Sequence, residues 1–292
     1  MGDIARALLR PTTYVGHARE AVSLARAVAT YPLGLFGAAL ATTEPSGDRR
    51  HDTPVVLVHG FGHNRSGWFV LDRRLRQAGF TCVQMVNYNP LRNDIAELCD
   101  QLADRIELIR TISEAPRVHV IGHSLGGILL RWYVQELGGD EVVDTAVTIA
   151  TPHRGTRTAV AGVMWTAVGR QLLPGSNLMR KLHQGARASS VRWISYYSNL
   201  DMLVSPASSA KLTEPALAAT NVLVKDEGHL SLMVSPALAS SVVAQLEAAE
   251  GEGATITSLA GRVATTSPHT AAKPKAAPSD TGRAARSAGR VS

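Results

Sequence analysis

Val118-His119-Val120-Ile121-Gly122-His123-Ser124-Leu125-Gly126-Gly127 is the stretch that decides the fold. Its first half reads as a strand, because Val118, Val120 and Ile121 are β-branched and apolar, and Pro116 punctuates the chain just before them. Its second half opens a helix over residues 125–137, with leucines and a valine at helical spacing, closed by Gly138-Gly139. Only Ser124 stands between the two. So sharp a turn forces an unusual backbone conformation, and Gly122 and Gly126 remove the side chains that would clash. The Ser124 hydroxyl is thereby lifted off a strand end at a helix N-terminus, where backbone N–H groups and the helix dipole stabilise developing negative charge. A serine N-cap in a glycine-rich turn is the plainer account of the same residues. The readable strand before it and helix after it favour a nucleophile.

Outward from this stretch the chain alternates strand and helix. Strands are expected at Val55–Val58, 81–86, 142–149, 192–197 and 221–224. Helices are expected at 68–78, 93–112 and 236–249, the second with Ile95, Leu98, Leu102, Ile106 and Ile109 on one face. Such alternation predicts an α/β fold: a mostly parallel sheet with helices on both faces. Ligands of such sheets bind beyond the C-terminal strand ends, where Ser124 sits.

Of 292 residues, 45% are hydrophobic, enough for one large core. The net charge of +6 lies at the ends. Residues 251–292 hold six basic residues against two carboxylates, and residues 1–50 hold six arginines against four. The middle is neutral, which argues against a nucleic-acid-binding core. Three regions follow: an N-terminal helical segment and polar linker over 1–50, a catalytic domain over 51–250, and a basic tail over 251–292. The tail has almost no large apolar side chains and is expected to be disordered. The nearly charge-free run at 28–41 is too short to span a bilayer and sits too far from the start for a signal peptide. It is expected either to pack on the domain or to touch lipid as an interfacial segment, and the compartment stays open. Cys82 and Cys99 lack metal-ligand spacing and are expected as buried small hydrophobes.

A serine nucleophile needs a base, and the base needs a carboxylate to orient it. His229, in Asp226-Glu227-Gly228-His229-Leu230, follows the last expected strand and so hangs at the Ser124 edge. His123, inside the turn, should point away from the hydroxyl. Asp201 follows the 192–197 strand at the same edge and is chosen as the acid. Its rival, Asp226, lies awkwardly close to His229 in sequence. After the first strand, His59-Gly60-Phe61-Gly62 brings a backbone N–H opposite Ser124, so the Phe61 and Leu125 N–H groups are the expected oxyanion donors.

Taken together, His59-Gly60-Phe61, Gly122-His123-Ser124-Leu125-Gly126-Gly127 and Ala150-Thr151-Pro152-His153-Arg154-Gly155-Thr156 resemble the bacterial lipases of the α/β-hydrolase superfamily. The family's acid position, an aspartate followed by an apolar pair and a proline, matches Asp201 with Leu203-Val204 and Pro206. Its Gly-His-Leu setting matches Gly228-His229-Leu230. The resemblance covers roughly residues 54–249 and implies the α/β-hydrolase fold, the chain order Ser…Asp…His, an ester substrate with an apolar acyl group and no cofactor. Many members of the family hold a structural calcium near the histidine loop, where Asp226 and Glu227 are acidic but form no complete ligand set, so no metal site is assigned. The insertion at 153–187, rich in leucine, valine and methionine with Trp165, is expected as a helical lid rather than a plain crossover. Lipid contact through the lid or the N-terminal segment would follow. Two alternatives stay open: an acyltransferase or thioesterase with the same triad, and a non-catalytic lipid-binding protein on a hydrolase scaffold.

Overall fold

Six short apolar runs form strands: β1 (Val55–Val58), β2 (Val83–Val86), β3 (Val118–His123), β4 (Val143–Ile149), β5 (Arg192–Ser198) and β6 (Thr220–Val224). The computed structural model, which describes residues 11–35, 51–157 and 165–264, joins them in one sheet of order β2-β1-β3-β4-β5-β6, every pair parallel. The helices are α1 (Pro11–Leu35), α2 (Phe69–Gln77), α3 (Ile95–Ser113), α4 (Leu125–Glu136), α5 (Ala167–Gln171), α6 (Asn177–Gln184) and α7 (Pro236–Ala264).

Both faces of the central strands are covered, which is why β1 and β3 are buried from end to end, while the edge strand β6 is largely exposed. On one face Val56, Val58 and Val120 pack with Leu98, Leu102 and Ile106 of α3 and with Ile128 and Leu129 of α4. On the other, Leu57, Ile121 and Val147 pack with Leu71 and Leu75 of α2 and with Leu238, Val242 and Leu246 of α7. Each fully buried Leu or Ile contributes about 1.5–3 kcal/mol. Helix α3 starts where Asp94 caps it: the Asp94 side chain accepts the Glu97 N–H at 3.0 Å, while Glu97 accepts the Asp94 N–H at 2.9 Å. Its expected apolar face, Ile95 through Ile109, is buried throughout.

The register sets where chemistry can occur. Val58 pairs with Val86 and Gly122, His123 with Ile149, and Ser198 with Val224. The strands therefore finish along one edge, and the loops leaving β1, β3, β5 and β6 start side by side there.

Three features depart from the sequence reading. The closing helix α7 runs to Ala264, beyond the expected end at 249 and into the segment read as a disordered tail. Once a helix is nucleated, each further residue adds a hydrogen bond at little cost, and the alanines here favour it. The chain divides into one unit over Met1–Glu252 and another over Gly253–Ser292, and of the latter only residues up to 264 are described. The rest of the expected tail, 265–292, lies outside the described residues, as do residues 1–10, residues 36–50 with most of the expected linker, and residues 158–164. The second departure concerns the insertion. Of its described apolar side chains, Val168, Leu178, Met179 and Leu182 are buried in the core beside α3 and α4, and Leu172 is both part of that core and wall of the cavity that holds Ser124. Trp165 is 86% exposed. This part is a packed crossover, because α5 and α6 bury their apolar stripes against neighbouring helices. The third is that α1 stays helical through Pro32 and Gly34. It packs on the domain, the first of the two expected alternatives, through contacts described below. No described helix is long and apolar enough to cross a membrane.

One buried arginine of α4 ties that helix to the crossover and, by an ion pair, to the β5–β6 connection. Arg131, fully buried, donates to Glu214 at 2.6 Å, to the Leu182 carbonyl at 2.9 Å and to the His153 carbonyl at 3.3 Å. Burial pushes the Glu214 carboxyl up, but the Arg131 guanidinium outweighs it and holds the group below its ordinary value of 4.5. The stability this contributes is complete above that value and is lost as pH falls through the lower folded pKa. Glu214→Ala should lower the unfolding free energy at neutral pH by about 3–5 kcal/mol, since it strands a buried charge. Urea denaturation should also show the gap between wild type and variant narrowing as pH drops below 4.5.

Candidate active site

Ser124 occupies the turn between β3 and α4 with φ 52° and ψ −117°, in a region side-chain-bearing residues avoid. Such strain costs about 1–3 kcal/mol and persists only where surroundings enforce it. Here they do. The Ser124 N–H is held by the Ile149 carbonyl at 2.8 Å, which extends the β3–β4 ladder into the turn. A methyl group at Gly122 would overlap the backbone at Gly126 and Gly127. One at Gly126 would overlap the Val58 and His59 carbonyls, so α4 lies directly on the end of β1. As the first residue of α4, Leu125 has an N–H with no intrahelical acceptor.

The loop leaving β1 faces this turn. A side chain at Gly60 would come within 2.9 Å of His123 Nδ1 and 3.0 Å of Ser124 Cβ. The His59 Nδ1–H donates to the Gly60 carbonyl at 2.8 Å, and the His63 N–H reaches the same oxygen at 3.3 Å. The two ends of a trans peptide point opposite ways. Holding the Gly60 carbonyl from one side therefore turns the Phe61 N–H to the other. His59 is itself fixed: its ring stacks on Tyr88 with centroids 4.2 Å apart, its Nε2 accepts the Tyr88 N–H at 3.4 Å, and the Tyr88 hydroxyl donates to the His59 carbonyl. Burial lowers the His59 pKa to about 4, so the ring is neutral near pH 7.

Asp201 and His229 meet although 28 residues separate them. The His229 Nδ1–H donates to Asp201 Oδ2 at 2.8 Å. The other carboxylate oxygen, Oδ1, accepts the Leu203 and Val204 N–H groups, both at 2.9 Å. Both residues are buried. With Nδ1 engaged, Nε2 is the ring nitrogen left for chemistry. The rival Asp226 instead lies beside Asn199, whose Nδ2 is 3.4 Å away, and adopts φ 59°. It has no contact with the His229 ring.

Ser124, His229 and Phe61 line one cavity of about 460 Å³. Leu172, Leu203, Val204 and Pro152 contribute apolar wall, and α1 adds Leu24, Val28 and Tyr31. This size and lining fit a small molecule with a substantial apolar part. From the insertion, among the described residues, only Thr156 and Leu172 reach the cavity.

His123, expected to point away from the Ser124 hydroxyl, packs beside His229. Its ring lines the cavity, 4.7 Å from the His229 ring, and its Nε2–H donates to the His229 carbonyl at 3.1 Å. The space opposite, vacated by the missing Gly60 side chain, allows this. Burial, with the His229 and His63 rings adding to it, pushes the His123 pKa well below its ordinary value. The sequence reading also missed Tyr88, which follows β2 at the site edge. Its place just past a C-terminal strand end was a usable signal. Nothing in the sequence pointed to α1 as cavity wall.

The matches to known proteins agree with this geometry. Residues 53–177 match the family model of the alpha/beta hydrolase fold. A triacylglycerol lipase of Pseudarthrobacter phenanthrenivorans is 31% identical over 114 residues, covering 36% of this chain and 35% of that protein. One of Pseudomonas fragi is 33% identical over 110 residues, covering 36% of each. The chain thus matches about a third of the length of these curated relatives. A Bacillus licheniformis lipase superposes with a TM-score of 0.59 at 17% identity, over 70% of this chain and 96% of that one, a likeness of fold. Sheet, strand-to-helix turn and matched segment together give the chain the α/β-hydrolase fold, with residues 53–177 similar to that family's model and a 110–114-residue stretch similar to bacterial triacylglycerol lipases.

Proposed function

We propose that the protein is a serine ester hydrolase acting on esters with an apolar acyl group. The observation that carries this is the 2.8 Å Asp201–His229 pair in a cavity that Ser124 shares. The Ser124 oxygen attacks the ester carbonyl carbon while His229 Nε2 takes the hydroxyl proton. Asp201 keeps the ring in the tautomer that leaves Nε2 free and stabilises the imidazolium. The carbonyl electrons move onto oxygen, which the Phe61 and Leu125 N–H groups hold. Collapse of this intermediate expels the alcohol, protonated by His229, and leaves Ser124 acylated. Water then attacks, giving its proton to His229, and a second collapse releases the acid and restores the serine. The apolar wall supports an acyl chain as the recognised part. The triacylglycerol lipase names of the relatives support a lipid ester as the natural substrate.

Substitution tests the assignments one by one. Ser124→Ala should reduce kcat on a p-nitrophenyl ester by about a thousandfold or more with the fold intact, and a variant keeping a tenth of wild-type kcat would refute the nucleophile. Asp201→Asn should cost at least about a hundredfold, while Asp226→Asn, off the ring, should stay within about twofold. The reverse ranking in folded proteins would overturn the choice of acid.

Acyl preference tests the substrate class. Across p-nitrophenyl esters from acetate to palmitate, kcat/KM should climb by up to about fourfold per CH₂, equivalent to about 0.8 kcal/mol each, until the cavity is full. A steady fall from acetate onward would leave a small-ester esterase in place of a lipase-like enzyme.

A further inference from the structure

Helix α1 lies outside the segment matched to the hydrolase family, which begins at residue 53, yet it is pressed against four of the loops at the site edge, those leaving β1, β2, β5 and β6. A Cβ at Gly16 would come within 2.8 Å of the Asp226 carbonyl and would overlap Leu200, the neighbour of Asp201. At the other end Asn64, in the loop leaving β1, donates to the Tyr31 carbonyl at 2.8 Å. Asn87, in the loop leaving β2, donates to the Gly34 carbonyl at 2.8 Å.

Between these anchors sits Glu20, half-buried. Its Oε1 accepts the Leu230 N–H at 2.8 Å, and its Oε2 accepts the Ser231 N–H at 2.8 Å. The carboxyl lies where a Gly228 side chain would be, so the glycine before His229 is what admits it. The residues flanking His229 on both sides are thus seated on a carboxylate from a separate element. The His123 bond to the His229 carbonyl and the Asp201 bond to the ring complete the seat. Amides beside a buried residue need partners, and charge-assisted acceptors hold them more firmly than water does. A displacement of about 1 Å at a catalytic group is enough to cost on the order of a hundredfold in rate.

We propose that α1 is a working part of the active site, with Glu20 a positioning residue that holds the His229 loop in place beside Ser124. This rests on the reading of Ser124, Asp201 and His229 as a triad.

Glu20→Ala and Glu20→Gln in the full chain test it, by two readouts. The first is the downfield proton resonance of His229 Nδ1–H, which reports the bond to Asp201 whether or not ester is turned over. The second is hydrolysis of p-nitrophenyl acetate. Glu20→Ala should broaden or shift the resonance and lower kcat by about ten- to a hundredfold, with KM within about twofold. Glu20→Gln keeps an oxygen for one of the two N–H groups and should recover most of both. A wild-type resonance and wild-type kcat in Glu20→Ala would overturn the proposal. So would a loss that merely follows a fall in Tm and is not relieved in Glu20→Gln. A wild-type protein that neither turns over esters nor reacts with a fluorophosphonate would instead sink the hydrolase reading, while the resonance would still decide what Glu20 does.

Discussion

The contact of Gly126 with the carbonyls that end β1 is the constraint on which the site rests. It is backbone against backbone, and it allows α4 to start on top of the sheet instead of beside it. With it go the strained φ of Ser124 and the absence of side chains at Gly122 and Gly60. A turn strained by about 1–3 kcal/mol holds only in a frame that does not yield. That frame is a six-stranded parallel sheet packed on both faces, whose central strands are fully buried.

The electrostatics of the edge are as one-sided as its geometry. His59 and His123 are held neutral by burial, and His63, also desolvated, has its pKa lowered too. A base that becomes positively charged during the reaction is best surrounded by rings that are not already charged. In the proposed reaction His229 is the one proton carrier among these histidines, and the neutral rings support it: His59 holds the Gly60 carbonyl, and His123 braces the His229 carbonyl.

Most of the frame was legible because parallel strands and their helices carry period and punctuation. The apolar face of α3 and the strand before Ser124 are cases where local propensity and burial agree. The Asp201–His229 pair was legible by a weaker rule, that residues just past strand ends share an edge, and sequence distance disfavoured Asp226. What stayed hidden depends on contacts that no local pattern encodes. The leucines of the insertion could cover a site or fill a core with the same composition, and those described fill the core. Glu20 looked like any charged residue on a helix, since its partners are backbone amides 210 positions later. Pro32 and Gly34 weakened the helix signal of α1, but contacts with the loops leaving β1 and β2 hold that end in place.

The distance along the chain between α1 and the loop it holds has a bearing on synthesis. Glu20 leaves the ribosome more than two hundred residues before Leu230 and Ser231 exist. At about 5–20 residues per second, that is an interval of roughly 10–40 s. Throughout it α1, with Val22, Val28 and Leu33 exposed even in the finished fold, has no docking surface made by β5, β6 and their loops. The loops leaving β1 and β2 can receive the C-terminal end of α1 early, whereas the seat of Glu20 is made only when the His229 loop is translated. A nascent chain would therefore dock the C-terminal end of α1 first and leave the Glu20 carboxylate without its two amides until the His229 loop emerges.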